Sequence, residues 1–562
     1  MSSKIAVAPD ISLEQSIASR ITRRLCVDKE ATHPLVPQSN PFQGSGTLED
    51  PYLVDWLPGE IANPLNWKKG FRWLITVHLA INCLCPVFCS SSYVAAIPGI
   101  MVHFPPTSEE LGILGLSLYV LGQAFGPLLW APLSEIVGRR LSFLVAFPTF
   151  VLFNLAGAVA QNVATIMVTR FLAGVFGAGQ LAVIGGQMAD LWEMNDRIIP
   201  GSLATLSPLL GPVIGPIVSG FVGEKAGWRA VFWVQFGFGA ATLVAWYFLI
   251  PETYPPILLK RKAARLQGEA DASGTGEHFV SKYEVTRRAP IETLRRGLGK
   301  PFELLFREVI VWTLSGYLSL VYGILYLLFT AFPYIFVTLR GWSAGMTGLA
   351  LIGIGIGMFI GFVMNKLQLV FYSKARAVTP AHLPVPPEVR LKTCCIGAIL
   401  VPISLFWFAW TSKPKVHWIV PIIASVPFGT GYLLIFTSIL LYLIDTYTIF
   451  AASALAANTV MRAAFGAAFP LFGTYMYKNL GADWAGTLLA FLLLACVPMP
   501  FLFVKYGHRL RASSKYAPSA PIATDPDVTP NTVELDSWAT KGGPAAPGGQ
   551  GGYDEESLKP IA

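Results

Sequence analysis

The sequence predicts an all-α membrane protein with twelve transmembrane helices in two pseudo-symmetric six-helix bundles. Three observations carry that expectation. Of 562 residues, 53% are hydrophobic and only 13% charged, with a mean hydropathy of +0.55, whereas soluble domains carry about 25% charged residues. The apolar residues come in long runs, such as WLITVHLAINCLCPVFC from Trp73 and LLAFLLLACVPMPFLFV from Leu488, each near the ~20 residues that cross a bilayer as a helix. The runs also fall into two sets of six, parted by a long charged stretch.

Residues 1–70 are polar and rich in Pro and Ser, with an acidic patch LEDPYLVDWLPGE from Leu48. They predict a disordered cytosolic tail without a core, and no cleavable signal peptide precedes the first run. An N-terminal six-helix bundle is expected over 71–250, with spans near 73–99, 111–131, 141–160, 164–189, 199–222 and 229–250. Residues 251–308 are too charged to enter the membrane and read as a cytosolic central loop. A C-terminal bundle follows over 309–511, with spans near 309–337, 345–369, 392–411, 416–443, 449–477 and 485–506, and then a second disordered cytosolic tail over 512–562.

Orientation follows from the basic residues, because Lys and Arg beside short loops stay on the cytoplasmic side. With both termini inside, the cytoplasmic flanks hold about eighteen Lys and Arg against about six outside. The net charge of +8 is therefore a matter of topology, and no basic domain for nucleic acid exists. The 7 cysteines lie mostly inside apolar runs and suit buried packing. No metal site and no cofactor are expected, and no Gly-x-x-x-x-Gly-Lys-Ser/Thr loop offers ATP coupling.

The most informative stretch, GPLLWAPLSEIVGRR from Gly126, joins the second and third runs. It sets Glu135 before a glycine turn at Gly138 and two fixed cations, Arg139 and Arg140. A carboxylate and a guanidinium at neighbouring helix ends form an ion pair that one conformation makes and another breaks, a two-state latch; plain positive-inside anchoring is the alternative reading. Run four contains TRFLAGVFGAG, with Arg170 inside an apolar helix where a charge is costly and usually functional; bonding to buried carbonyls is the alternative there. In run five, Gly211, Pro212, Gly215, Pro216 and Gly220 give a small, kinked helix face. Run eleven repeats the idea with FGAAFPLFG from Phe465, and Trp228 and Trp484 follow at nearly the same distance, the weak echo expected of a transporter built from repeats.

These residues resemble signatures of the major facilitator superfamily. Leu133, Ser134, Glu135, Gly138, Arg139 and Arg140 stand in register with its loop signature, although Ala131 replaces the leading Gly. Arg170 and Gly174 match its R-x-x-x-G motif, and the run-five glycines and prolines are similar to the antiporter motif of drug:proton exporters. WRAVFW from Trp228, PETYPPILLKRKAARL from Pro251 and the stretch from Tyr442 to Trp484 resemble the fungal drug:proton antiporter-1 group over residues 50 to 512. The resemblance implies the major facilitator fold and no enzymatic activity. It further implies export of a drug, secondary metabolite or organic acid from the cytosol by alternating access, with protons as the coupling ion. Its second-half loop is degenerate, with Gly361 and Asn365 and no Gly-Arg-Arg, so the latch is expected to be stronger in the first half.

The expected proton or substrate pathway comprises Arg170, Arg462, His78, Asn82, Asn458, Tyr322, Tyr326 and Asp445. His78 and Asn82 share one helical face, Tyr322 and Tyr326 another, and aromatic walls with a few polar groups suit amphipathic ligands. Two deep arginines favour an anionic or neutral substrate. No Asp or Glu lies mid-span, which leaves Glu135, Asp445 and His78 as proton carriers and keeps two rivals open: a facilitative or exchange carrier for an organic anion, and a non-transporting nutrient sensor. A monomer in the plasma membrane is expected, with vacuolar or other internal membranes as alternatives.

Overall fold

The computed structural model describes residues 41–517 except 194–195, 285–289 and 381–383. Most of both predicted tails, residues 1–40 and 518–562, lies outside the described residues. Helices dominate. Spans one to six are Lys69–His103, Glu109–Val137, Arg139–Ala158, Val163–Leu191, Ile199–Ala226 and Trp228–Leu249. Spans seven to ten are Val309–Thr338, Ala344–Val378, Pro387–Thr411 and Ile419–Tyr447.

A further 62-residue helical stretch, Ala451–Ala512, closes the set of 11 stretches long and apolar enough to cross a membrane. Straight, it would run about 90 Å at 1.5 Å per residue, three times a hydrocarbon core of about 30 Å. It does not run straight. Gly481 has φ 78° and ψ 163°, a conformation open essentially to glycine alone, and the chain reverses there. On one side Gly473 meets Thr330 and Tyr477 lies beside Tyr334 of span seven. On the other, Gly486 meets Ala409 and Arg511 reaches Glu388 at opposite ends of span nine. Residues 451–480 are thus span eleven and 482–512 span twelve. Gly227, between spans five and six, has nearly the same backbone angles, so the expected repeat is present in the turn as well as in the tryptophan that follows it.

The two ends of the bundle differ. At one, here the basic end, lie the turn at Gly138, the long connection between spans six and seven, and the start of span nine. That connection forms two helices, Pro255–Ser273 and Pro290–Arg307. The second lies against span two where Gly297 meets Pro132, and Lys300 sits over the ring of Phe450 before span eleven. Inside the first half, a stacked aromatic core joins spans three and six, Phe143 lying 4.1 Å from Trp246 and 4.7 Å from Phe147 between ring centroids.

Two short segments depart from the sequence reading. Part of the N-terminal tail is ordered: Tyr52–Val54 pairs in parallel with Phe279–Ser281, and Val54 buries itself against Leu259 and Ala263 of the first loop helix. Lys262 pairs with Glu60 at 2.7 Å, and Lys282 bonds Asp55. The acidic patch reads as solvent-facing because its partners lie some 200 residues away. The start of the C-terminal tail is ordered as well, since Glu308 accepts from Ser514 Oγ at 2.6 Å and from Tyr447 at 2.9 Å.

If Gly481 is what turns span eleven into span twelve, Gly481→Ala should cost about 1–3 kcal/mol, read as a lower melting temperature in detergent. Gly237→Ala, in open space within the helix of span six, should leave the melting temperature unchanged or raise it slightly. Equal melting of the two variants would refute the turn argument.

Candidate functional site

At the basic end, the loop between spans two and three turns through Gly138 at φ 97°. A Cβ there would lie 2.5 Å from Glu252 Oε2, so glycine is demanded twice. The turn releases the first backbone N–H groups of span three, and Glu252, just past span six, takes them: Arg139 N donates to Oε1 at 3.0 Å and Arg140 N to Oε2 at 3.1 Å. The same carboxylate accepts from the backbone N–H of Thr253 and Tyr254. A carboxylate at a helix N-terminus satisfies both orphan donors and helix dipole. Arg139 then donates to Ser134 Oγ at 2.7 Å, pairs with Asp190 at 3.4 Å and lies 4.4 Å above the ring of Tyr254.

The ion pair described at the expected latch uses a different acid, although the charge of Arg139 also acts on Glu135. Glu135 is exposed, while the partners of Arg139 are Asp190 on span four and Glu252 after span six. Four residues from Arg139 in sequence, Glu135 is the obvious candidate; the reversal at Gly138 aims the guanidinium at the next helix instead. Arg140 contributes its backbone N–H, and its Nε has no partner.

The second half carries its own version. Arg390, at the start of span nine, pairs with Asp445 near the end of span ten at 2.8 Å and lies 4.2 Å from the ring of Tyr372. This matches Arg139 with Asp190 and Tyr254, from the equivalent spans three and four. The degenerate signature around Gly361 misled: Asn365 accepts from Thr437 Oγ1 at 3.1 Å, and the arginine enters after an added helical stretch. Asp445 is therefore held in an ion pair.

At mid-depth, Arg170 is 1% exposed. It reaches from span four to three backbone carbonyls: Cys89 at 2.9 Å and Ser90 at 3.0 Å on span one, and Gly115 at 3.3 Å on span two. The rings of Tyr119 and Tyr93 cover it at 4.1 and 4.6 Å. Gly174, one turn on, lets span four touch the carbonyl of Tyr119. The R-x-x-x-G spacing puts a long donor and a gap on one face, and both are used against the same neighbour.

From this knot a line of hydroxyls crosses to the second half. Ser90 Oγ lies 3.1 Å from Tyr326 OH on span seven, and Tyr322 OH donates to Tyr326 OH at 3.3 Å. Arg462 of span eleven then stands 4.9 Å from the rings of both Tyr322 and Phe436. One turn away, Asn458 is fully buried and donates to Ser315 Oγ at 3.1 Å. Thus the structure gathers Arg170, Tyr326, Tyr322, Arg462 and Asn458, but not His78 or Asn82. His78 is buried toward the backbone of Thr242 on span six, and Asn82 donates back to the His78 carbonyl at 2.9 Å. Their shared face is real but looks into the first bundle.

The run-five motif faces two neighbours. Gly211 and Gly215 lie against Val87, Phe88 and Ser91 of span one, while Pro216 and Gly220 lie against Gly348 and Ala344 of span eight. Here, at the far end, the halves also meet where Glu224 accepts from Gly345 N at 2.9 Å and Lys478 pairs with Glu109 at 2.7 Å.

Comparison with known proteins agrees with this architecture. The family model of the Major Facilitator Superfamily matches residues 79–470, and the chain belongs to that superfamily. It is 44% identical over 93% of its length, and 87% of the relative's, to the MFS-type efflux pump MFS2 of Trichophyton rubrum. It is also 44% identical to the multidrug transporter mdrA of Aspergillus fumigatus, over 90% of this chain and 82% of that protein. In fold it is similar to the xylose transporter XylE from E. coli in a partially occluded inward-open conformation. That likeness has a TM-score of 0.54 at 16% identity, covering 78% of this chain and 98% of XylE.

Asp190→Asn should lower stability by about 1–3 kcal/mol, the cost of leaving a shielded charge under-satisfied. Glu135→Gln should stay within about 0.5 kcal/mol, as for surface changes. Melting curves in detergent compare them; the opposite order would restore Glu135 as the partner of Arg139.

Proposed function

We propose that the protein is a secondary transporter that exports a small organic molecule from the cytosol by alternating access. The observation that carries this reading is the mid-depth seam, Ser90 to Tyr326 to Tyr322 to Arg462, at which the two sets of six helices meet. Relatives named efflux pump and multidrug transporter over nearly the whole chain give it its direction. The substrate sits at the seam, and the halves rock about it, one end opening as the other closes. With the basic end in the cytosol, as the Lys and Arg distribution favours, the contacts at Glu224 and Lys478 close the outer side. Arg139 with Asp190 and Arg390 with Asp445 keep each half rigid at the inner side. We place the chain in the plasma membrane, acting as a monomer.

The coupling ion is proposed to be the proton, by likeness to drug:proton antiporters. A second reading, a facilitative or exchange carrier for an organic anion, is favoured by one observation: every Asp and Glu within the described spans lies near a span end, and Asp445 is already paired with Arg390.

Flux in proteoliposomes separates them. Dansylamide, a neutral fluorescent probe, should cross faster through the protein than through empty liposomes, and saturably. Under the antiport reading an opposing proton gradient should raise that flux several-fold. Flux indifferent to the gradient selects the carrier, and no protein-dependent flux of this probe or of the dansyl probes below refutes transport. Arg170→Ala should abolish flux while unpairing the carbonyls of Cys89, Ser90 and Gly115, so surface expression and melting are measured alongside.

A further inference from the structure

The two deep arginines are in opposite situations. Arg170 is sealed by three carbonyls and two rings, its charge consumed by the protein. Arg462 is half-buried, stands between the faces of Tyr322 and Phe436, and among the described residues has no carboxylate or carbonyl partner. A cation at this depth is costly and needs compensation. Two ring faces supply part of it by cation–π attraction, and the remainder is left open.

The groups around Arg462 are unfinished in the same sense. Tyr432 of span ten is fully buried, close enough for the Arg462 charge to act on it, and its hydroxyl has no partner. Val120 of span two meets Gly466 of span eleven. Because these spans run in opposite directions, Gln123, one turn from Val120, is level with Arg462. It is 6% exposed and its amide Nε2 is unpaired. Guanidinium, phenol and amide N–H are all donors. Buried polar groups in native proteins are almost always satisfied, so a donor set left open beside an uncompensated cation points to a ligand that brings acceptors and negative charge. The rings of Tyr322 and Phe436 that flank Arg462 add that the rest of the ligand presents apolar or aromatic surface.

We infer that Arg462 anchors the anionic group of the transported molecule, and that the substrates are aromatic or amphipathic organic acids whose carboxylate accepts from Arg462, with Tyr432 and Gln123 completing the cradle. The inference rests on the export reading for its word transported; the binding itself stands apart from it. Carboxylate occupancy neutralises the cation, so the loaded seam is less costly than the empty one.

The test is fluorescence titration of the full chain in nanodiscs with three probes of one scaffold: dansylglycine (anionic), dansylamide (neutral) and dansylcadaverine (cationic). Native protein should bind dansylglycine most tightly, about tenfold or more beyond dansylcadaverine, as charge-assisted hydrogen bonds imply. Arg462→Gln should bring dansylglycine down to the affinity of dansylamide while leaving dansylamide unchanged, which also reports a folded protein. Arg462→Lys should retain the anionic preference in weakened form, and Tyr432→Phe should weaken dansylglycine alone. If Arg462→Gln binds no probe, Arg462→Lys decides, a kept preference upholding the site and a lost one overturning it. Undiminished dansylglycine preference in Arg462→Gln, a cationic preference in native protein, or no binding of any probe to native protein overturns it too. Should the order hold while no probe crosses liposomes, the export reading falls and the anion site stays.

Discussion

The first half of the molecule is organised by the need to compensate one cation within a layer of hydrocarbon. Arg170 cannot reach water, so three backbone carbonyls from two other helices turn to it. Such carbonyls are normally committed to their own helix. Span one frees its two, those of Cys89 and Ser90, by passing from α-helix to a 3₁₀ turn at Tyr93–Ala96 just after them, where the hydrogen-bond register shifts. The glycines around the knot follow from the same demand. A guanidinium touches a neighbouring backbone only if the helices come close, and Gly174 and Gly122 let spans two and four do so. Arg170 is thereby a cross-brace for spans one, two and four, and a proton relay is a role its geometry does not call for.

The two halves apply one plan with different residues. Each clamps its third and fourth helices at the basic end by an Arg–Asp pair capped with a tyrosine ring, Arg139 with Asp190 and Arg390 with Asp445. Where an acid just past span six, Glu252, caps span three, span twelve ends in a base, Arg511, that grips Glu388 at the start of span nine in a two-bond fork. The helix contact is kept and the sign of the charges is exchanged, as expected when structure constrains the contact and not the residue. The centre differs more: the first half closes around its arginine, and the second leaves Arg462 open beside an idle phenol.

Much of this was legible in the sequence. Twelve spans follow from run lengths, and the turn at Gly481 restores the count where helices merge. Arg170 with Gly174 announced itself by position, because nothing else explains a charge in an apolar helix. What escaped is what depends on direction. His78 and Asn82 sit on a helix buried on nearly every side, so hydrophobic periodicity cannot say which face looks at the seam. The partner of Arg139 lies 51 residues away, and proximity along the chain favoured Glu135. Residues 41–66 have too few apolar side chains to fold alone, yet Val54 finds its core on a helix that begins at Pro255.

Energetics then indicate which contacts yield when the halves move. The clamps at the basic end lie within a half, with side chains only 10–11% exposed for Arg139 and Asp190, and breaking such shielded pairs is expensive. The far-end contacts lie between halves and are cheap. Lys478 and Glu109 are 55% and 38% exposed, and pairs of that kind contribute about 0–1 kcal/mol. Beside them Pro216 and Gly220 lie against Gly348 and Ala344, backbone close to backbone, with the Phe221 ring on Gly345. Span five therefore carries a smooth seam on each side, tight against span one and separable from span eight. A helix that meets its neighbours through Gly211, Gly215, Pro216 and Gly220 is suited to being the surface along which one half slides on the other, while the arginine clamps keep each half from deforming as it does.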